Sequence, residues 1–140
     1  MNANNQEKRL SGLIIRSPHI ERILREGKTW EVRGTRTRKR GTIALVEAGA
    51  RRIVGACKVI GVRGPLGLEE MRDNLNLHQS PDDLEALPYK KTYAWILADA
   101  VEFIEPIPFE NPPGAVVWVK LPRDIAKLVR SRIANSRLTS

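Results

Sequence analysis

Cysteine and histidine are nearly missing from this chain: its 140 residues hold Cys57, His19 and His78 and no others of either type. One thiol excludes an internal disulfide, and so few soft ligands exclude a zinc site at the usual spacings. The expectations are no metal, no cofactor and a reducing, cytoplasmic setting. Long apolar runs are missing as well. No stretch approaches the roughly 20 apolar residues of a membrane-spanning helix, so no membrane association is expected. Residues 1–9 are polar and lack the apolar stretch of a signal peptide, and they are read as a disordered tail. Internal repeats and low-complexity tracts are absent too. At this length a single domain with a real core is expected.

Acidic residues are the other scarcity. Against 24 Lys and Arg there are 16 Asp and Glu, a net charge of +8 with a pI near 10.1. The charge is unevenly placed: residues 1–64 carry 15 cations and 5 acids, residues 65–119 carry 3 and 10, and residues 120–140 carry 6 and 1. A basic face built from the two ends, with an acidic middle turned away, is the expected result, and it favours a polyanionic partner such as nucleic acid.

The densest information lies in residues 27–40, Gly27-Lys28-Thr29-Trp30-Glu31-Val32-Arg33-Gly34-Thr35-Arg36-Thr37-Arg38-Lys39-Arg40. If residues 29–33 are extended, alternation puts Thr29, Glu31 and Arg33 on one face and Trp30 and Val32 on the other. The first face carries chemistry and the second belongs in a core. Lys28 and Arg33 are candidate donors to a phosphate or a base edge, with Glu31 orienting them or accepting from an exocyclic amine. The plain structural alternative is a surface ion pair worth about 0–1 kcal/mol. Directly after the strand, Arg36, Arg38, Lys39 and Arg40 crowd a loop whose self-repulsion an anion would relieve.

Around this centre the chain reads as alternating strands and helices. Strands are predicted at residues 10–15, 42–47, 53–62, 93–97, 101–107 and 116–121, from β-branched content bounded by Gly and Pro. A helix starts at Ser17-Pro18, with Ser17 as cap and Ile20, Ile23 and Leu24 as its buried stripe, and ends at Gly27. Short helices are predicted at residues 68–72 and 81–87, the second capped by Ser80. Tyr93 and Trp95 share one strand face; Tyr93 is a candidate platform for a base, whereas Trp30, Trp95 and Trp118 are read as core. Residues 123–138 form an amphipathic basic helix with Ile125, Leu128, Val129 and Ile133 apolar and Arg123, Lys127, Arg130 and Arg137 opposite them. Its outer face is either simply solvated or follows a phosphate backbone.

These residues are familiar in combination. Gly27-Lys28-Thr29-Trp30-Glu31-Val32-Arg33 resembles the G-K-T-x-E-x-R form of the ASCH domain signature, and is the G-x-K-x-x-E-x-R type with its first spacer absent. Leu13-Ile14-Ile15-Arg16-Ser17-Pro18-His19 resembles the strand and turn that precede the signature helix, with His19 where the family frequently has tryptophan. Gly41 and the residues after it, Ile53-Val54-Gly55, Tyr93-Ala94-Trp95-Ile96-Leu97 and Val117-Trp118 resemble the later strands. The resemblance spans residues 10–121, leaving residues 122–140 as a basic helix packed on or extending from the domain.

The resemblance implies an α+β, PUA-like fold: a small mixed β-barrel with interspersed helices and a cleft beside the signature. It implies RNA or another nucleic acid as partner, with a nucleoside as the other possible ligand. On that basis Ser17, Lys28, Arg33, Arg36, Arg38, Lys39, Arg40, Tyr93, Arg123, Lys127 and Arg130 are candidate nucleic-acid contacts. Two enzymatic alternatives accompany the binding reading. One is metal-independent RNA cleavage, in which Lys28, Glu31 and Arg33 divide the roles of base, acid and phosphorane cation, with Ser17 or His19 nearby. The other is the family's amidohydrolase activity on N4-acetylcytidine. That activity uses a lysine matched by Lys28, a threonine that aligns with Glu31 in this chain, and a distant glutamate for which Glu47 and Glu102 are the candidates. A carboxylate cannot replace a hydroxyl nucleophile, and Thr29 is out of register. An interaction protein whose basic helix meets an acidic partner or another copy of the chain is the remaining class.

Overall fold

The structure, a computed structural model, describes residues 9–81 and 91–139, with side chains placed as far as residue 136. In chain order the elements are β1 (Ser11–Ile15), α1 (His19–Arg25), β2 (Trp30–Arg33), β3 (Gly41–Glu47), β4 (Arg52–Arg63), α2 (Leu68–Asp73), α3 (Leu75–His78), β5 (Tyr93–Pro108), β6 (Trp118–Lys120) and α4 (Arg123–Thr139). The six strands form one mixed sheet in the order β2-β5-β4-β3-β1-β6, in which only the β1–β3 pairing is parallel. This is the expected α+β class, with the sheet curled into a half-barrel.

Period-two alternation divides the apolar residues between the two faces of the sheet. Leu13, Ile15, Ile43, Leu45, Trp95 and Leu97 meet Ile20 and Ile23 of α1 on one side. Ile14, Ala44 and Val46 meet Ala126 and Val129 of α4 on the other. A third cluster gathers Trp30 and Ala94 under Leu66 and Met71, so Trp30 is core as expected. The curl brings the two ends of the sheet together. Although β2 and β1 are not hydrogen-bonded neighbours, Arg33 Nη2 donates to the Ile14 carbonyl at 3.2 Å across the gap. Trp95 of β5 stacks on Trp118 of β6, ring centroids 5.6 Å apart at 10°. This open seam is where the signature lies.

Several boundaries differ from the sequence reading. The strands predicted at residues 93–97 and 101–107 are one 16-residue strand, β5. Asp99 at φ 54° and register shifts against β4 bend the strand without ending it, as a bulge does. Ser17 does not cap α1: the preceding position is Pro18 with no side-chain cap, and Ser17 Oγ donates to the Glu21 carboxylate instead. The helix α3 was not anticipated, and the last strand contracts to three residues. On α4 the buried stripe is Ile125, Ala126, Val129 and Ile133, while Leu128 is 41% exposed. The packing surface of β4 and β5 keeps Ile125, Val129 and Ile133 of the expected stripe and takes Ala126 in place of Leu128. The expected helix at residues 81–87, apart from Pro81, and the tail at residues 1–8 lie outside the described residues.

Among the described residues, five acids of the acidic middle are paired with cations. Glu70, Asp99, Glu102, Glu105 and Glu110 pair with Arg63, Lys58, Arg25, Arg132 and Arg51, all from the two basic segments. Among the described residues no helix is long and apolar enough to cross a membrane.

Candidate nucleic-acid interface

The signature begins where α1 stops. Gly27 takes φ +76°, and the Lys28 N–H donates to the Arg22 carbonyl at 3.1 Å, closing the helix end. Thr29 then joins two neighbours: its N–H donates to the Leu77 carbonyl (3.0 Å) and its carbonyl accepts from the Leu97 N–H (2.7 Å). This fixes where Lys28 must go. It is only 2% exposed, and its ammonium donates to the His78 carbonyl and, at 3.3 Å, to Ser80 Oγ. A buried ammonium is tolerated because these acceptors replace water. His78, itself fully buried, accepts from the Ser80 N–H at Nδ1 (3.0 Å), which puts its proton on Nε2 facing the Met71 carbonyl (2.7 Å). Lys28 is thus part of a wall, rather than the free donor the sequence suggested.

Glu31 and Arg33 extend that wall. Arg33 Nε donates to Glu31 Oε2 at 2.9 Å, and the Glu31 residue is 6% exposed. The pair is not the solvated surface pair considered above, because the curl of the sheet covers it; removing one partner leaves a buried charge behind. The carboxylate also acts inward. Burial first, and the Glu31 charge second, push the Cys57 thiol up to about 12.

Together these side chains face a cavity of about 610 Å³, whose polar wall includes Arg16, His19, Lys28, Glu31, Arg33 and Ser80. Ser80 supplies the hydroxyl of this wall; its Oγ donates to the His78 carbonyl at 3.0 Å. Thr29 does not line the cavity. No group of three or more His, Cys, Asp and Glu among the described residues is placed to hold a metal ion.

Arg33 has a second neighbour. Its guanidinium carbon lies 5.4 Å from the Trp95 ring centroid, and beyond it opens a groove of about 830 Å³ with Arg36, Lys91, Tyr93 and Trp95 in its walls. The basic loop is pinned at its root by the Trp95 Nε1–H donating to the Thr35 carbonyl (2.8 Å). Arg36 then lies over the Tyr93 ring, 5.0 Å from its centroid, and donates from Nη2 to the Gly64 carbonyl at 2.7 Å. Lys39 turns back to Ser11 Oγ (2.8 Å) and to the Trp118 ring (5.6 Å). Arg38 and Arg40 stay exposed, the latter bonded to carbonyls of its own loop. Among the described residues no carboxylate is paired with Arg36, Arg38, Lys39 or Arg40.

The structure therefore places Lys28, Glu31 and Arg33 in one hollow and Arg33, Arg36 and Tyr93 in the next, with Arg38, Lys39 and Arg40 on the loop that follows. It does not bring Arg123, Lys127 or Arg130 there: they lie on α4, none lines either hollow, and Ser17 is exposed outside the cavity. Arg16, Lys91, His78 and Ser80 were missed. Arg16 sits inside a segment already singled out. The pairing of Ser80 with Lys28 spans 52 residues and leaves no local pattern to read.

A curled mixed sheet with a charged seam beside a short turn between helix and strand defines a small α+β half-barrel of the PUA-like class. Residues 13–108 match the family model of the ASCH domain, and the chain belongs to that family. Among solved structures it is similar to an ASCH protein from Zymomonas mobilis, at 13% identity and a TM-score of 0.65 over 90% of this chain and 95% of that one. A serine-to-alanine variant of that protein is similar at 14% identity and a TM-score of 0.67, over 89% and 96% of the two chains. A tyrosine-to-phenylalanine variant gives 14% and 0.65, over 86% and 96%. At these identities the likeness concerns the fold. Comparison with curated proteins gives no match.

Proposed function

We propose that this protein binds RNA along the seam, one nucleotide entering the cavity beside Glu31 and Arg33 while the basic loop follows the backbone. The observation that carries this reading is that two hollows share Arg33 as a wall, with Arg36 lining one of them and Arg38 and Arg40 following on the same loop, all three unpaired with any described carboxylate. Cations without protein counterions beside a concave wall are what phosphate recognition needs. The ASCH family's general association with RNA agrees with it.

A second reading rests on the same cavity. His19, Lys28, Glu31, Arg33 and Ser80 surround one space, which is enough to supply a base, an acid and a cation for cleavage by the 2′-hydroxyl without a metal. The amidohydrolase reading has less support, since position 31 bears a carboxylate and, among the described residues, the hydroxyl lining the cavity is on Ser80. The test is binding and integrity of a labelled single-stranded RNA in EDTA, with wild type beside Glu31→Gln and Arg33→Ala. Intact RNA bound by wild type and released by Arg33→Ala is the expected outcome. Cleavage abolished by Glu31→Gln selects the nuclease reading, and an RNA that is neither bound nor cut removes both.

A further inference from the structure

The groove beyond Arg33 has features the phosphate reading does not use. Its walls are mostly apolar, from Tyr93, Trp95 and Val117, and its charged members, Arg33, Arg36 and Lys91, are all cations. Tyr93 is half-buried and stands opposite Arg33 in the β2–β5 ladder, so its ring rises from the rigid sheet next to the seam. The Arg36 guanidinium carbon lies 5.0 Å from the centroid of that ring, and its Nη2 donates to the Gly64 carbonyl. An aromatic ring and a guanidinium are the two kinds of planar surface on which unpaired bases stack. A duplex buries the faces of its bases and cannot use them.

We propose that this groove is a stacking subsite for one unpaired base of the RNA, adjoining the nucleotide in the cavity across Arg33, so that the protein takes single strands in preference to duplex. The inference rests on the RNA reading above and deepens it. The wall shared with the cavity at Arg33 selects the same strand as occupant, and the cations Arg33, Arg36 and Lys91 suit the phosphate that joins the two nucleotides. Stacking is indifferent to base identity, so the subsite adds affinity without sequence preference.

The experiment is fluorescence anisotropy at one salt concentration, with a labelled single-stranded RNA and the same strand annealed to its complement. Wild type, Tyr93→Leu and Tyr93→Phe are compared, and single abasic sites are moved along the strand with the wild-type protein. Tyr93→Leu is expected to weaken single-strand binding about 5- to 150-fold, the loss of one stacked base. Tyr93→Phe restores it, the slope of affinity against salt stays unchanged, and an abasic site at one position costs wild type a similar factor. Equal binding of duplex and single strand, a harmless Tyr93→Leu, or no sensitive abasic position overturns the subsite and leaves the RNA reading standing. If wild type binds neither form, both fall. The abasic series uses the unaltered protein, so a folding defect in Tyr93→Leu cannot decide the matter.

Discussion

Replacing Arg36, Arg38 and Arg40 together by alanine is the perturbation the structure specifies most fully. Arg16, Arg36, Arg38, Arg40 and Lys91 are the exposed cations lining the seam or on its loop, whereas Lys39 is engaged by Ser11 and Trp118. If each of the five meets one phosphate, counterion release on a single strand gives a slope of log K against log salt of about −3.5. The triple variant retains two contacts and a slope of about −1.4. Between 50 and 200 mM salt, wild type then loses about 100-fold in affinity and the variant about 7-fold. Anisotropy titrations at four or five salt concentrations measure both slopes. Arg123→Ala with Lys127→Ala removes the same kind of charge from α4, away from the seam, and is expected to leave the slope near the wild-type value. A triple variant that keeps the wild-type slope, or an α4 variant that takes the larger change, refutes the placement of the backbone along the loop.

Three further outcomes test the fold that positions the site. A Cβ on Gly55 would lie 2.4 Å from the Val101 carbonyl oxygen and 2.7 Å from Leu24 Cδ2, so Gly55→Ala is expected to destabilise by about 1–3 kcal/mol in urea unfolding. Burial pushes the Cys57 thiol up to about 12, so it stays protonated at pH 8. Iodoacetamide should leave it unmodified in the native protein and label it once urea unfolds the chain; rapid native labelling would show that the half-barrel opens. Hydrogen bonding to Arg25 first, and its charge as well, holds the Glu102 carboxyl below the ordinary glutamate range. That contribution is present above the unfolded-state value and is lost as pH falls through the folded one. Glu102→Gln should therefore flatten the acid side of a stability–pH curve by a small amount, the pair being largely exposed, and an unchanged acid limb would contradict the pairing.

Much of the candidate site was readable in advance where the governing physics is local. The alternation that separates Glu31 and Arg33 from Trp30, the helix stop at Gly27 and the basic loop each follow from a few adjacent residues. The family, too, was legible from one heptapeptide and the order of the strands around it. What was misread has a common cause. Ser17 was assigned a cap because serine suits that position, yet Glu21 one turn on captured its hydroxyl. Leu128 was assigned to the core by hydropathy, yet the sheet beneath α4 receives Ala126.

A basic α+β chain with a charged strand face leading into a cationic loop follows from neighbouring residues alone, because period and charge density are properties of neighbours. Three contacts needed the folded molecule: Lys28 buried against the His78 carbonyl 50 residues away, Arg33 reaching Ile14, and Trp95 stacked on Trp118. Lys28 meets His78 because α3 docks beside the signature, with Thr29 bonded to Leu77, and the other two contacts exist because a twisted sheet of six strands curls and draws its ends close, a sum over all the strands that no single segment encodes.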